Sequence, residues 1–93
     1  MDITYDTAKS ERNISERGLP FERASDFDFG TAVQSIDTRR DYGETRLVAL
    51  GYLDARLHVL CYTETATGIR VISFRRANAR EVRRYEKAQT ADR

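Results

Sequence analysis

Apolar and polar residues alternate most clearly after Gly68, where the chain reads GIRVISFRRANAREVRRYEK to Lys87. Ile69, Val71 and Ser73 fall on one side of an expected strand, Arg70, Ile72 and Phe74 on the other. The β-branched types suit an extended backbone. Arg75 and Arg76 close this strand. Asn78 then offers a helix N-cap, and Glu81 completes a capping box in which each side chain takes the other residue's backbone N–H. The helix beyond has a narrow apolar stripe of Ala79 and Val82, with Tyr85 or Glu86 beside them. Its broad basic face carries Arg80, Arg83, Arg84 and Lys87. A stripe that narrow docks a helix without burying it.

Ile3 to Tyr5 is a short strand, and Asp6 caps a helix running to about Arg17, with Ala8, Ile14 and Arg12 turned inward and Gly18 ending it. Pro20 suits the first turn of a short helix from Phe21 to about Asp26, and Phe21 and Phe27 are core candidates. Thr31 to Ile36 alternates as a strand, and Asp37 to Glu44 is a polar loop. Thr45 to Leu53 is the next strand, with Leu47, Ala49 and Gly51 on one face and Arg46, Val48 and Leu50 on the other. Leu53 to Arg56 is a tight hairpin. Leu57 to Thr63, apolar on both faces, is a central strand. The expected architecture is α+β: one antiparallel sheet, a meander of about four strands plus the short N-terminal strand, with helices at both ends. Residues 1–93 read as one domain, with Gln89 to Arg93 a frayed tail.

Composition narrows the function classes. No apolar run approaches the ~20 residues that a membrane span requires. The polar, acidic MDITYDTAKS start is no signal peptide. The single cysteine, Cys61, excludes an internal disulfide and fits a reducing cytoplasm; inside an apolar strand it reads as a small hydrophobe. Asp26, Asp28 and Asp37 match no calcium loop and read as turn and cap residues. No metal cluster, phosphate-cradling glycine loop or dinucleotide motif occurs, so no cofactor is expected.

Charge adds a polarity. Residues 1–69 hold 8 Lys or Arg against 12 Asp or Glu, whereas residues 70–93 hold 8 against 3. A basic C-terminal end of this kind suits RNA phosphates or an acidic partner, and equally a solvated helix face.

The strand end Ile72-Ser73-x-Arg75-x-Ala77, followed by a capped helix with Glu81 and Arg84-Tyr85-Glu86, resembles the BrnT family of bacterial toxins. Thr4-Tyr5-Asp6-x-x-Lys9 with Asn13, Gly18, Phe21 and Ala24 is similar to that family's N-terminal pattern. Gly43-Glu44-x-Arg46 with Leu50-Gly51, then Tyr62-Thr63-Glu64 and Ile69-Arg70-x-Ile72, are similar to its later strands. The resemblance spans roughly residues 4–87. It implies a RelE-like fold, RNA cleavage that slows translation, and neutralisation by an antitoxin called BrnA. That antitoxin would carry a ribbon-helix-helix domain, so operator DNA would be bound only through it. One departure stands out: where the family carries Lys-His before the glycine, this chain has Glu16-Arg17. Arginine keeps its proton, so Arg17 can bind phosphate but not shuttle protons.

Metal-free RNA cleavage uses the 2′-OH as nucleophile and needs a base, a charge-stabilising fork and an acid. Arg70 and Arg75, with Arg46 in support, are candidates to hold the scissile phosphate, unless they pair with carboxylates across the sheet surface. His58 has a suitable side chain for proton transfer, yet its place beside Leu60 and Tyr62 also reads as a partly buried structural histidine. Tyr85 can serve as acid, stack on a base, or anchor its helix to the sheet. Glu64 and Lys9 are further base and acid candidates. Ser73 can hydrogen-bond phosphate but has no activating base. Arg76, Arg80, Arg83, Arg84 and Lys9 complete the expected RNA-binding set. The sequence reading is thus a metal-independent endoribonuclease of a type II toxin–antitoxin system, acting in the cytoplasm. The alternative is a BrnT-like binding protein whose catalysis is weak or lost.

Overall fold

A computed structural model describes residues 1–91. Strand β1 (Asp2–Tyr5) leads into helix α1 (Thr7–Arg17) and a 3-10 helix (Phe21–Asp26). Strands β2 (Val33–Ile36), β3 (Leu47–Leu53), β4 (Arg56–Glu64) and β5 (Gly68–Arg76) follow, then helix α2 (Ala79–Ala91). The five strands form one open sheet in the order β1-β5-β4-β3-β2. The antiparallel meander of β2 to β5 is as expected, whereas β1 joins it parallel to β5, pairing Ile3 with Ile69. β1 and β2 lie on opposite edges of the sheet, so no tight hairpin can join them, and α1 with the 3-10 helix carries the chain across. Among the described residues no helix is long and apolar enough to cross a membrane.

Two layers cover the sheet. Phe21, Ala24 and Phe27 from the 3-10 segment pack on Ala49, Leu60, Val71 and Phe74 of one face. Burying side chains such as Phe74, Leu60 and Val71 contributes about 2 kcal/mol each. Phe27 meets Phe74 edge-on with ring centroids 6.0 Å apart, and lies so close over Gly51 that a β-carbon there would meet its ring at 2.8 Å. The other face is covered only in part. Val82 and Tyr85 of α2 pack on Leu50, Leu57 and Val59.

Three sequence expectations change. On α1 the buried residues are Ser10 and Asn13, not Ala8, Arg12 and Ile14, which are exposed. The helix meets backbone polar groups where strand pairing has stopped. β1 pairs with β5 only as far as Val71, and Asn13 Nδ2 donates to the Phe74 carbonyl beyond it (2.9 Å) and to the Leu19 carbonyl (2.8 Å). Ser10 Oγ accepts from the Phe21 N–H. Polar side chains were needed there because buried carbonyls and amides require partners.

The alternation along β5 also breaks. Cys61 faces Ser73 but Tyr62 faces Val71, so Ile72 is an extra residue in a β-bulge. Val71 and Phe74 therefore share the buried face, while Ser73 and Arg75 share the other. Finally, residues 89–91 continue α2, with Thr90 Oγ1 donating to the Glu86 carbonyl; the rest of the expected tail, 92–93, lies outside the described residues.

Candidate functional site

Helix α1 stops at Gly18, whose φ of 66° suits a residue without a β-carbon and whose N–H donates to the Ile14 carbonyl. The turn brings Arg17 to the end of the sheet where β3, β4 and β5 meet. There a depression of about 580 Å³ opens, lined by Arg17 and Leu19, by Arg23 of the 3-10 helix, by Asp54, Arg56 and His58, and by Arg75 and Arg76.

His58 stands on β4 directly opposite Arg76 of β5. Its ring lies against Phe74, centroids 5.6 Å apart, and is buried. Nδ1 lies 2.8 Å from the Arg56 carbonyl oxygen. A carbonyl only accepts, so Nδ1 carries the proton and Nε2 the lone pair. Nε2 makes no hydrogen bond, and among the described residues no buried side-chain nitrogen lacks one, so Nε2 opens on the depression. Burial pushes the His58 pKa below its ordinary 6.5, with Arg76 adding to the effect and the Arg56 carbonyl opposing it. The imidazole is therefore neutral near pH 7, with an available base nitrogen.

The cations around it are not equivalent. Arg23 is engaged: both Asp54 oxygens take its Nη2 (2.9 and 2.8 Å) and Asp26 takes its Nε (3.2 Å). Arg17 reaches only its exposed neighbour Glu16, at 3.3 Å. Arg56 and Arg76 form no ion pair among the described residues. Three guanidiniums thus remain free or nearly free to meet an anion beside Nε2.

A second depression, about 390 Å³, lies on the half of the sheet that α2 leaves uncovered. Arg75, Ser73, Cys61 and Arg84 line it, together with Asp37 and Arg39. Most of its charges are paired. Arg75 holds Glu81 through two 2.8 Å bonds, and Asp37 is held by Arg39 and by the Tyr42 hydroxyl. Arg75 brings the Glu81 pKa down to about 2, and Arg39 draws that of Asp37 well below the carboxylate range. Neither carboxylate serves as a base near neutrality. Burial raises the Cys61 thiol pKa, leaving it protonated.

The structure separates the arginines that the sequence suggested as one phosphate clamp. Arg46 and Arg70 converge on Glu44, at 3.0 and 2.9 Å, and Arg46 stacks 4.0 Å over the Tyr42 ring. Neither lines either of these two depressions, whereas Arg75 lines both. Tyr85 takes the anchoring role: its ring is buried and its hydroxyl donates to the Thr31 carbonyl (3.0 Å). Lys9 is exposed on α1, and Arg80, Arg83 and Lys87 are exposed on α2, away from both depressions. Glu64 is exposed at the far end of β4.

Sequence reasoning did not single out Arg56, Arg23 or Asp54. The signal for Arg56 was present, since residues two apart on a strand share a face and Arg56 precedes His58 by two.

The model of the BrnT ribonuclease toxins of type II toxin–antitoxin systems matches residues 5–81. This chain belongs to the BrnT family. The BrnT match takes in every residue lining the two depressions except Arg84. No curated protein and no solved structure matches the chain. Membership makes it one of a family of ribonuclease toxins that act as half of a toxin–antitoxin pair.

Proposed function

We propose that this BrnT-family protein is a metal-independent endoribonuclease that cuts RNA in the depression around His58. The observation that carries this reading is that His58, whose Nε2 makes no hydrogen bond, lines one depression with Arg17, Arg56 and Arg76. An RNA phosphate held by these guanidiniums places the adjacent ribose at Nε2. The imidazole removes the 2′-OH proton, the O2′–P bond forms and the P–O5′ bond breaks. The guanidinium forks stabilise the extra charge on the phosphorane, and water protonates the departing 5′-oxygen, which lies opposite the base. The products are a 2′,3′-cyclic phosphate and a 5′-hydroxyl. Arg76 was expected in the RNA-binding set and His58 among the catalytic candidates; Arg17 and Arg56 join them here.

The family pattern's histidine before the glycine is Arg17 in this chain, and the chain's one histidine faces the same depression from β4. Arg84 and the exposed Arg80, Arg83 and Lys9 attract the flanking phosphates, and Ser73 hydrogen-bonds one of them, while Arg46, Arg70 and Arg75 are carboxylate-paired. The partner is a BrnA-like ribbon-helix-helix antitoxin that neutralises the toxin, prevents it from slowing translation, and carries the pair to operator DNA. The setting is the cytoplasm, and the fold is of RelE-like type.

The rival reading, a binding protein without catalysis, is favoured by Glu16-Arg17 and by the carboxylates that occupy Arg46, Arg70 and Arg75. Cleavage of an end-labelled RNA in EDTA separates the two. Wild type cuts and His58→Asn does not, if His58 is the base. A folded wild type that leaves RNA intact, with or without ribosomes, overturns the catalytic reading.

A further inference from the structure

We infer that Arg23 and Asp54 form a positioning clamp that fixes which nitrogen of His58 carries the proton. The inference deepens the proposed function, since it names residues that prepare the base without touching RNA.

Leu53 pairs with Arg56 across a two-residue turn, and both intervening residues have positive φ, 51° at Asp54 and 64° at Ala55. Such a turn matches the twist of the strands, but its second position favours glycine, and Ala55 carries a β-carbon. Something beyond local preference must hold it. That holder is Arg23, whose Nη2 donates to both oxygens of Asp54 from 31 residues away. Asp26 in turn braces the Arg23 Nε. With its charge committed on two sides, Arg23 is a strut rather than a phosphate ligand, although it lines the depression.

The turn so held delivers Arg56, and the Arg56 carbonyl takes the His58 Nδ1 proton. A free imidazole prefers its proton on Nε2, the tautomer useless as a base here. The carbonyl reverses that preference only while it stays in place. The chain of contacts thus runs from Arg23 to Asp54, through the turn to Arg56, and on to Nδ1, ending in a lone pair on Nε2. The charged groups facing His58 are Arg76 from β5, with Arg75 beside it, Arg56 and Asp54 from the hairpin, Arg23 from the 3-10 helix and Arg17 at the end of α1.

His58 is the one histidine, so a chain labelled with 15N-histidine gives a single imidazole signal set. Two variants break the clamp from opposite ends: Asp54→Asn on the hairpin and Arg23→Gln, which leaves the hairpin sequence intact. In wild type the bare-nitrogen resonance belongs to Nε2. In both folded variants it moves toward Nδ1, and kcat on labelled RNA falls by up to about 10²-fold, the share that a positioned base supplies. KM changes little, because neither residue is a phosphate ligand. A wild-type spectrum with the proton on Nε2, or clamp variants that keep the wild-type tautomer, overturns the inference. The spectra need no RNA: a tautomer shift in a protein that cuts nothing upholds the clamp and removes only the nuclease reading.

Discussion

Arg75, at the end of β5, grips Glu81, in the first turn of α2, through two parallel bonds of 2.8 Å. Glu81 also accepts the Asn78 N–H and so closes the capping box. One carboxylate therefore caps the helix and ties it to the sheet.

The acid stability of the fold follows from that pair. Glu81 has a pKa of about 2 in the folded chain against an ordinary 4.5, so the folded state binds its proton less readily than the unfolded one. Its contribution is fully present above pH 4.5 and is lost as pH falls through about 2. Urea unfolding across this range should show wild type losing stability faster than Glu81→Gln. Near pH 7 the Glu81→Ala change should cost about 2 kcal/mol, the loss of a cap and a charge-assisted fork.

The pH dependence of cleavage has its own sign. His58 acts as a base only when neutral, so activity should be retained down to its lowered pKa and fall below it. The acid limb of kcat/KM should therefore lie below pH 6.5, the ordinary histidine value. A limb above 6.5 would contradict the buried imidazole as base. His58→Asn should lose about 10²–10⁴-fold in kcat with an unchanged circular dichroism spectrum.

Salt separates the phosphate ligands from the rest. On single-stranded RNA each phosphate contact contributes about 0.7 to the slope of log K against log salt. Arg76→Ala should lower that slope by about this amount, whereas Arg70→Ala, whose guanidinium is held by Glu44, should change it less. Fluorescence anisotropy on a 2′-O-methyl RNA, which cannot be cut, reads both.

Asn13 is a test of the α1 packing. Asn13→Ala orphans the Phe74 and Leu19 carbonyls and should cost about 1–3 kcal/mol in thermal or urea unfolding. Ile14→Ala, on the exposed side of the same helix, should stay within about 0.5 kcal/mol.

The fold was largely legible because local signals agreed with tertiary demands. Asp6 and Gly18 bounded α1, the capping box began α2, and the strands of the meander appeared within two residues of their expected starts. What stayed hidden was set by partners distant in sequence. The bulge at Ile72 depends on the register with β4, and the inward turn of Asn13 depends on where β1 ends. For the candidate site, the sequence offered residue types but not their grouping. A list of arginines does not reveal which ones carboxylates have already claimed, and Glu44 and Glu81 claimed three of the expected set. His58 looked structural because it is buried; its carbonyl partner and open Nε2 are properties of the hairpin, not of the strand pattern.

The parallel seating of β1 against β5 has a consequence for synthesis. Strand β1 can be paired only by β5, so the edge it forms must wait until β5 has left the ribosome. The depression waits as well, since Arg17 comes from the segment following β1 and Arg76 from the end of β5. A chain released early lacks one wall. For a protein of a toxin family, a copy that stops short of β5 therefore lacks part of the site proposed to cut RNA.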